Sequence, residues 1–246
     1  MAALEPIEGE RAAVADGPEG PILVVADYHA GIERNFRRDG VEIESHAEQR
    51  RERLLGLIED VDPGQVLFLG DLGNHIGQPD GAELEELMDL EHALRGRETL
   101  LVPGNHDGLL GDAIDVEVAD GDGIRIGDLG FVHGHTWPAR DVLSVSVLAV
   151  GHEHPCVRLE DEVGGSRVEP VWLRGPGEAA PFEAHYGEAL DGPDSVVVFP
   201  AFNELAGGTW VNVPGQEFLS PFLPEATPRA EAYLLDGTRL GRFDEI

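Results

Sequence analysis

Five short motifs, each closing an apolar run, constrain this chain more than any other feature. Asp27 and His29 follow Val24-Val25-Ala26. Asp71 follows Phe68-Leu69-Gly70, and Asn105, His106 and Asp107 follow Pro103-Gly104. His133 and His135 follow Phe131-Val132, and His152 and His154 follow Val150-Gly151. An apolar run of this length reads as a buried strand, so each motif places its polar residues at one edge of a sheet. Six of the ten histidines lie in these motifs, which makes chance placement a poor account of them. Asp27, His29, Asp71, Asn105, His133, His152 and His154 mix hard oxygens with imidazoles. That donor set suits Mn, Fe or Zn rather than Ca or a Cys-rich zinc site. Seven ligands are too many for one tetrahedral ion. They suit two ions ~3.5–4 Å apart that share a carboxylate, an arrangement used for phosphoryl hydrolysis.

The rest of the first half alternates strand and helix. Ile22–Ala26, Val66–Leu69 and Leu100–Val102 read as buried strands. Helices are expected over Ser45–Glu59, with Leu54, Leu55 and Ile58 on one face, and over Ala82–Leu94. This order implies parallel pairing under helices, an α/β class. After Asp107 short Val/Ile/Phe segments split by Gly and Asp replace helices. They predict a second, mostly antiparallel sheet facing the first, with strands at Val147–Val150, Val157–Leu159, Val168–Leu173, Val196–Phe199 and Thr209–Val213. Residues 1–20 read as a flexible lead-in or at best an edge strand, and residues 21–246 as a single domain. Gly175–Asp194, rich in Gly, Pro and acids, reads as a long loop or lid.

Charge bounds the partners. The net charge is −31, and all 17 basic residues are arginine. Such a surface fits a halophile, because in molar salt the Debye length of ~3 Å screens its self-repulsion. Arg34, Arg37 and Arg38 follow the first motif directly, either to meet substrate phosphate or as a solvated helix face. The one cysteine, Cys156, excludes an internal disulfide and is expected on a buried strand. No signal peptide or membrane span is expected, and the expected location is cytoplasmic.

D-x-H, G-D, G-N-H-D, H-G-H and G-H-x-H in this order resemble the calcineurin-like metallophosphoesterases. The finer run Asp27-Tyr28-His29-Ala30-Gly31-Ile32-Glu33, then Phe36-Arg37-Arg38, is similar to the archaeal SbcD-related group with the ligase-associated, PdeM-like phosphoesterases. So are Gly151-His152-Glu153-His154-Pro155 and Pro200-Ala201-Phe202-Asn203. The resemblance implies a four-layer α/β/β/α sandwich of two mixed β-sheets flanked by helices, the metallo-dependent phosphatase fold. One metal would take Asp27, His29, Asp71 and His154, and the other Asp71, Asn105, His133 and His152. Mn is the favoured ion, with Fe or Zn as alternatives, and an acidified water shared by the two ions is the nucleophile. His106 resembles the proton donor, with Asp107 fixing its tautomer. Asn74 stands where many members carry Asp, and Asn74, His75 and His135 are candidate substrate contacts. The implied substrate is a phosphodiester, DNA or RNA, with DNA-repair ligases or helicases as partners. The alternatives are small phosphoesters or cyclic nucleotides, and a scaffold that has lost the chemistry.

Overall fold

The apolar runs that precede the motifs become the middle of the fold in the computed structural model, which describes residues 3–161 and 163–246. From the N-terminus, β1 (Leu4–Pro6) and β2 (Ala12–Gly17) form a hairpin that pairs antiparallel with β3 (Gly20–Ala26). Helices α1 (Glu33–Arg38) and α2 (Ala47–Val61) lead to β4 (Gln65–Leu69). Helix α3 (Gly81–Ala93) leads to β5 (Glu98–Val102), and β6 (Glu117–Val118) closes a sheet ordered β1-β2-β3-β4-β5-β6. From β3 to β6 all pairs are parallel.

The second half supplies β7 (Ile124–Ile126), β8 (Leu129–Val132), α4 (Arg140–Leu143), β9 (Val147–Val150), β10 (Cys156–Glu160) and β11 (Ser166–Pro176). Then follow α5 (Ala180–Tyr186), β12 (Ser195–Val198), β13 (Glu231–Leu234) and β14 (Arg239–Arg242). They form an eight-stranded mixed sheet, β14-β13-β11-β12-β9-β8-β7, with β10 on β11. Only the β12/β9 and β9/β8 pairs are parallel.

Two sheets and two helical faces make three cores and four layers. Between the sheets, Ala26, Leu67 and Leu69 meet Phe131, Trp172 and Phe199. Leu54, Ile58, Leu87 and Leu90 of α2 and α3 cover the outer face of the first sheet. Val142, Leu143 and Phe182 of α4 and α5 cover that of the second. The expected sandwich of two mixed sheets flanked by helices is the fold observed.

Residues 4–17 follow the edge-strand alternative and not the flexible one. They form β1 and β2, with Ala12, Ala13 and Ala15 fully buried. Alanine carries little β-propensity, so a strand whose contacts are made by small buried residues shows no pattern in sequence. Two other segments differ from expectation. Gly175–Asp194 is not a bare loop. β11 runs on to Pro176, and α5 then plants Phe182 in the core while Tyr186 Oη donates to the Pro138 carbonyl. Thr209–Val213 is no strand either. Only Trp210 bridges Cys156, itself half-buried at the start of β10.

Candidate metal centre

Six non-glycine residues among those described have positive φ, and five of them are Asp27, His29, Asp71, His152 and His154, at 45–68°. The left-handed region costs an L-residue roughly 1–2 kcal/mol, and such strain collects where a site needs it. Each lies just past the end of β3, β4 or β9, where the chain turns sharply and drops its side chain over the sheet edge. Backbone bonds hold the first two turns together. Asp27 N donates to Gly70 O (3.1 Å), His29 N to Asp71 O (2.8 Å) and Ala30 N to Leu72 O (2.9 Å). Glycine is required at two points of closest approach. A Cβ on Gly104 would lie 2.1 Å from Asp71 Oδ1, and one on Gly70 would lie 2.0 Å from His133 Nδ1.

The side chains gather in two main clusters, bridged by a third group of His29, Asp71 and His106. In the first, His154 Nε2 lies 3.1 Å from Asp27 Oδ1 and 3.4 Å from His29 Nε2. In the second, His133 Nε2 lies 3.5 Å from Asp71 Oδ2 and 3.3 Å from Asn105 Oδ1, and the His152 ring sits 4.9 Å from that of His133. Potential ligand atoms of Asp27, His29 and His154 all fall within 4.8 Å of one another, as do those of Asp71, His133 and His152. His29 also comes to 3.9 Å from Asp71, which joins the clusters.

This arrangement asks for positive charge at its centre. His154 Nδ1 donates to Gly207 O (2.7 Å) and His133 Nδ1 to Leu69 O (3.2 Å). The Nε2 lone pairs of both rings therefore aim inward at carboxylate and amide oxygens, which are acceptors themselves. Acceptors facing acceptors need a cation or a proton between them. The metal-free electrostatics show the proton solution. Burial would lower the His133 pKa, but the Asp71 hydrogen bond and the Asp71 and Asp27 charges raise it to about 9. His29 and His152, where burial dominates, fall to about 4. Asp71 stays well below the usual carboxylate range, its burial outweighed by His133 and by His29 and His106. The donor set, with inward lone pairs and mixed oxygen and nitrogen atoms, fits divalent metal ions.

A family profile described as calcineurin-like phosphoesterase matches residues 20–216. The chain belongs to that family. Its members are metal-dependent hydrolases, so this phosphoesterase is an enzyme of that class. No curated protein matches the sequence. Among solved structures, the nuclease MPE of Pseudomonas putida is similar at 21% identity and a TM-score of 0.58, over 95% of this chain and 98% of that one. The phosphoesterase YfcE of E. coli shares 14% identity with a TM-score of 0.39, over 90% of this chain and 97% of that one. The first shares the fold of this phosphoesterase.

Around the centre, the expected partner of His106 is different. Asp107 does not touch the imidazole. Its carboxylate accepts from Gly73 N (3.1 Å) and Gly104 N (2.8 Å), tying the G-D loop to the G-N-H-D loop. Burial and the charge of Asp71 raise its pKa to about 6. His106 Nδ1 instead bonds the Asn74 carbonyl (2.5 Å), and Nε2 faces Asp71 Oδ2 at 3.7 Å. Backbone direction decides this, because residue 107 turns back toward 104 while residue 74 passes beside the ring. Asn74 thus meets the site through its main chain, and the His75 side chain is exposed. His135 lies 5.3 Å ring to ring from His133, with a buried Nδ1 that has no hydrogen-bond partner among the described residues. Arg34 is paired with Asp80, and Arg37 donates to the Ile43 carbonyl (3.1 Å). Arg38 is exposed and forms no ion pair among the described residues.

The supports of the loops were not visible in sequence. Glu86 accepts from Gly31 N (2.8 Å) and from Arg50, which also pairs with Glu33 and lies 5.5 Å over the Tyr28 ring. Asn203 Nδ2 donates to Tyr28 O (2.9 Å) and His29 O (3.1 Å). Glu153, fully buried between the two histidines, accepts from Ser220 N (2.6 Å) and Thr209 Oγ1 (3.1 Å). One signal existed. The buried stripe of α3 is Glu83, Glu86, Leu87 and Leu90, and acids on the apolar face of a helix need buried partners.

Proposed function

We propose that this phosphoesterase is a dinuclear metal-dependent phosphodiesterase that cuts nucleic acid. The observation that carries the reading is a pair of donor clusters, Asp27/His29/His154 and Asp71/His133/His152, that come together where His29 lies 3.9 Å from Asp71. Asp27, His29, Asp71 and His154 would hold one cation, and Asp71, Asn105, His133 and His152 the other, with Mn favoured over Fe or Zn. When bound, such ions polarise a phosphate and acidify a water. The residues of the chain supply the rest. His106 keeps Nδ1–H on the Asn74 carbonyl, which leaves Nε2 to give a proton to the departing oxygen. His135, whose ring lies 5.3 Å from that of His133 beside the second cluster, is the proposed contact for a phosphate oxygen.

Two points favour a polymer over a small ester. Residues 175–194 are pinned to the outer face of the second sheet by Phe182 and do not hang as a lid. The solved nuclease shares the fold along nearly the whole of both chains. The test is hydrolysis in molar KCl with Mn, comparing bis(p-nitrophenyl) phosphate, p-nitrophenyl phosphate and a short single-stranded DNA against a chelator control. The proposal expects chelator-sensitive cleavage of the diester and the DNA. Cleavage of the small esters with intact DNA would transfer the assignment to a small-molecule phosphoesterase. No turnover by folded, metal-loaded protein would leave a scaffold.

A further inference from the structure

We infer that Glu83 is a positioning residue for the proton donor, acting on His106 through the backbone of Asn74; this rests on the donor role proposed above. Glu83 is 2% exposed and stands in the first turn of α3, three residues after the N-cap Asp80. A glutamate there ordinarily reaches back to cap its own helix. Here Oε1 instead accepts from Asn74 N (2.8 Å) and His75 N (2.9 Å). Two amides on one oxygen fix the plane of the peptides that flank Asn74. The carbonyl of Asn74 points the other way, at His106 Nδ1. Glu83 therefore sets the direction of the acceptor that chooses the His106 tautomer and its ring angle.

The fit leaves no slack. A Cβ on Gly73 would lie 3.0 Å from Glu83 Oε1, and one on Gly31 would lie 2.5 Å from Glu83 Cβ. The carboxylate is wedged between the first two metal loops, and among the described residues its hydrogen bonds go to the second of them. His106 is held at its second point by its own amide, which donates to Asp71 Oδ1 (3.0 Å). With Nδ1–H on the carbonyl, Nε2 is the nitrogen that carries the transferable proton. As the attacking water oxygen bonds to phosphorus and the P–O bond to the leaving group breaks, that bond's electron pair stays on the departing oxygen and the Nε2 proton moves to it. The imidazole is left neutral, still bonded to Asn74.

A group that acts only through proton donation matters in proportion to how much the leaving group needs a proton. The experiment compares kcat on bis(p-nitrophenyl) phosphate, whose leaving group needs little help, with kcat on a thymidine dinucleotide, which expels an alkoxide. Glu83→Asp withdraws the carboxylate by one methylene, and Glu83→Gln keeps an acceptor oxygen in place. General acid catalysis contributes ~10²–10⁴-fold, so Glu83→Asp is expected to slow the dinucleotide at least about tenfold and the nitrophenyl diester less than about twofold. Glu83→Gln should stay near wild type on both. In a His106→Ala background Glu83→Asp should cost nothing further, since residues acting as a unit are not additive. Bound Mn should be unchanged. Equal losses on the two esters, or a further loss in the His106→Ala background, would overturn the inference. If His106→Ala itself slowed both esters alike, the donor assignment would fall first and this inference with it.

Discussion

Asn203 offers the sharpest way to separate the metal loops from the rest of the fold. It is 1% exposed and lies far in sequence from the turn it holds. Its Nδ2 serves the carbonyls of Tyr28 and His29 at 2.9 and 3.1 Å, and its own amide donates to Asp27 O at 3.3 Å. Asp27 and His29 on either side of Tyr28 are left-handed, at φ 56° and 47°. Asn203→Ala removes both side-chain hydrogen bonds, leaving the Tyr28 carbonyl without its partner and the His29 carbonyl with only the amide of Ile32 at 3.3 Å. Each hydrogen bond contributes about 1 kcal/mol net, so the loop loses about 2 kcal/mol of what holds it in shape. That is roughly a 30-fold change in the population of the ligating geometry. Outer supports of metal ligands typically cost ~10–100-fold in affinity when removed, which brackets this value. Mn affinity is measured by competition with a chromophoric chelator, and thermal unfolding is followed in the same buffer. The expected result is Mn binding weakened roughly 30-fold with a fall in Tm of only a few degrees. A fall in Tm with Mn affinity within twofold of wild type would refute the argument, because Asn203 would then support the fold and not the site.

Three further outcomes follow from the same structure. Arg50→Ala strands Glu33 and Glu86 without their shared cation, and breaking a buried pair costs about 3–5 kcal/mol; calorimetry should show Tm falling by roughly 10 °C, and a fall under about 3 °C would contradict it. Metal-free His133 holds its proton up to about 9, because Asp71 and Asp27 outweigh its burial. Metal must displace that proton, so Mn affinity should climb by up to about tenfold per pH unit from neutrality toward 9 and then flatten. Titration calorimetry in buffers of different ionisation heat should detect the released proton, and its absence would count against the assignment. The net charge of −31 predicts a Tm that rises from about 0.1 to 1 M KCl, as the Debye length shrinks from ~10 to ~3 Å; a flat Tm would weaken the halophilic reading.

What could be read from sequence was whatever the chain states locally. Val24-Val25-Ala26 followed by Asp27 shows both a buried strand and where it ends, so β3 to β5 and the edge that carries the motifs were legible. Strand β2 was not, because Ala12, Ala13 and Ala15 contribute by fitting under a neighbour rather than by propensity. Helix α5 was hidden in a Gly- and Pro-rich segment, because Phe182 is its one buried residue and its value depends on a groove made by distant strands. The candidate ligands were visible because their chemistry is in the residue type. Their supports were not. Asn203 lies more than 170 residues from the carbonyls it holds, and Asp107 beside His106 looks like its partner until backbone direction turns it toward Gly73 and Gly104. The arginines after the first motif were ambiguous for the same reason, and in the fold Arg34 is paired with Asp80 and Arg37 with a carbonyl.

The proposed function needs two ions, one on either side of Asp71, and they can be counted. Metal-free protein in molar KCl is titrated with Mn while bound metal and cleavage of bis(p-nitrophenyl) phosphate are followed on the same samples, for wild type and Asp71→Asn. Two Mn per wild-type chain are expected, with activity appearing as the second is taken up. Asp71→Asn should weaken both ions together and remove most turnover. Full activity with one Mn per chain, or an Asp71→Asn variant that binds two ions and turns over like wild type, would contradict it.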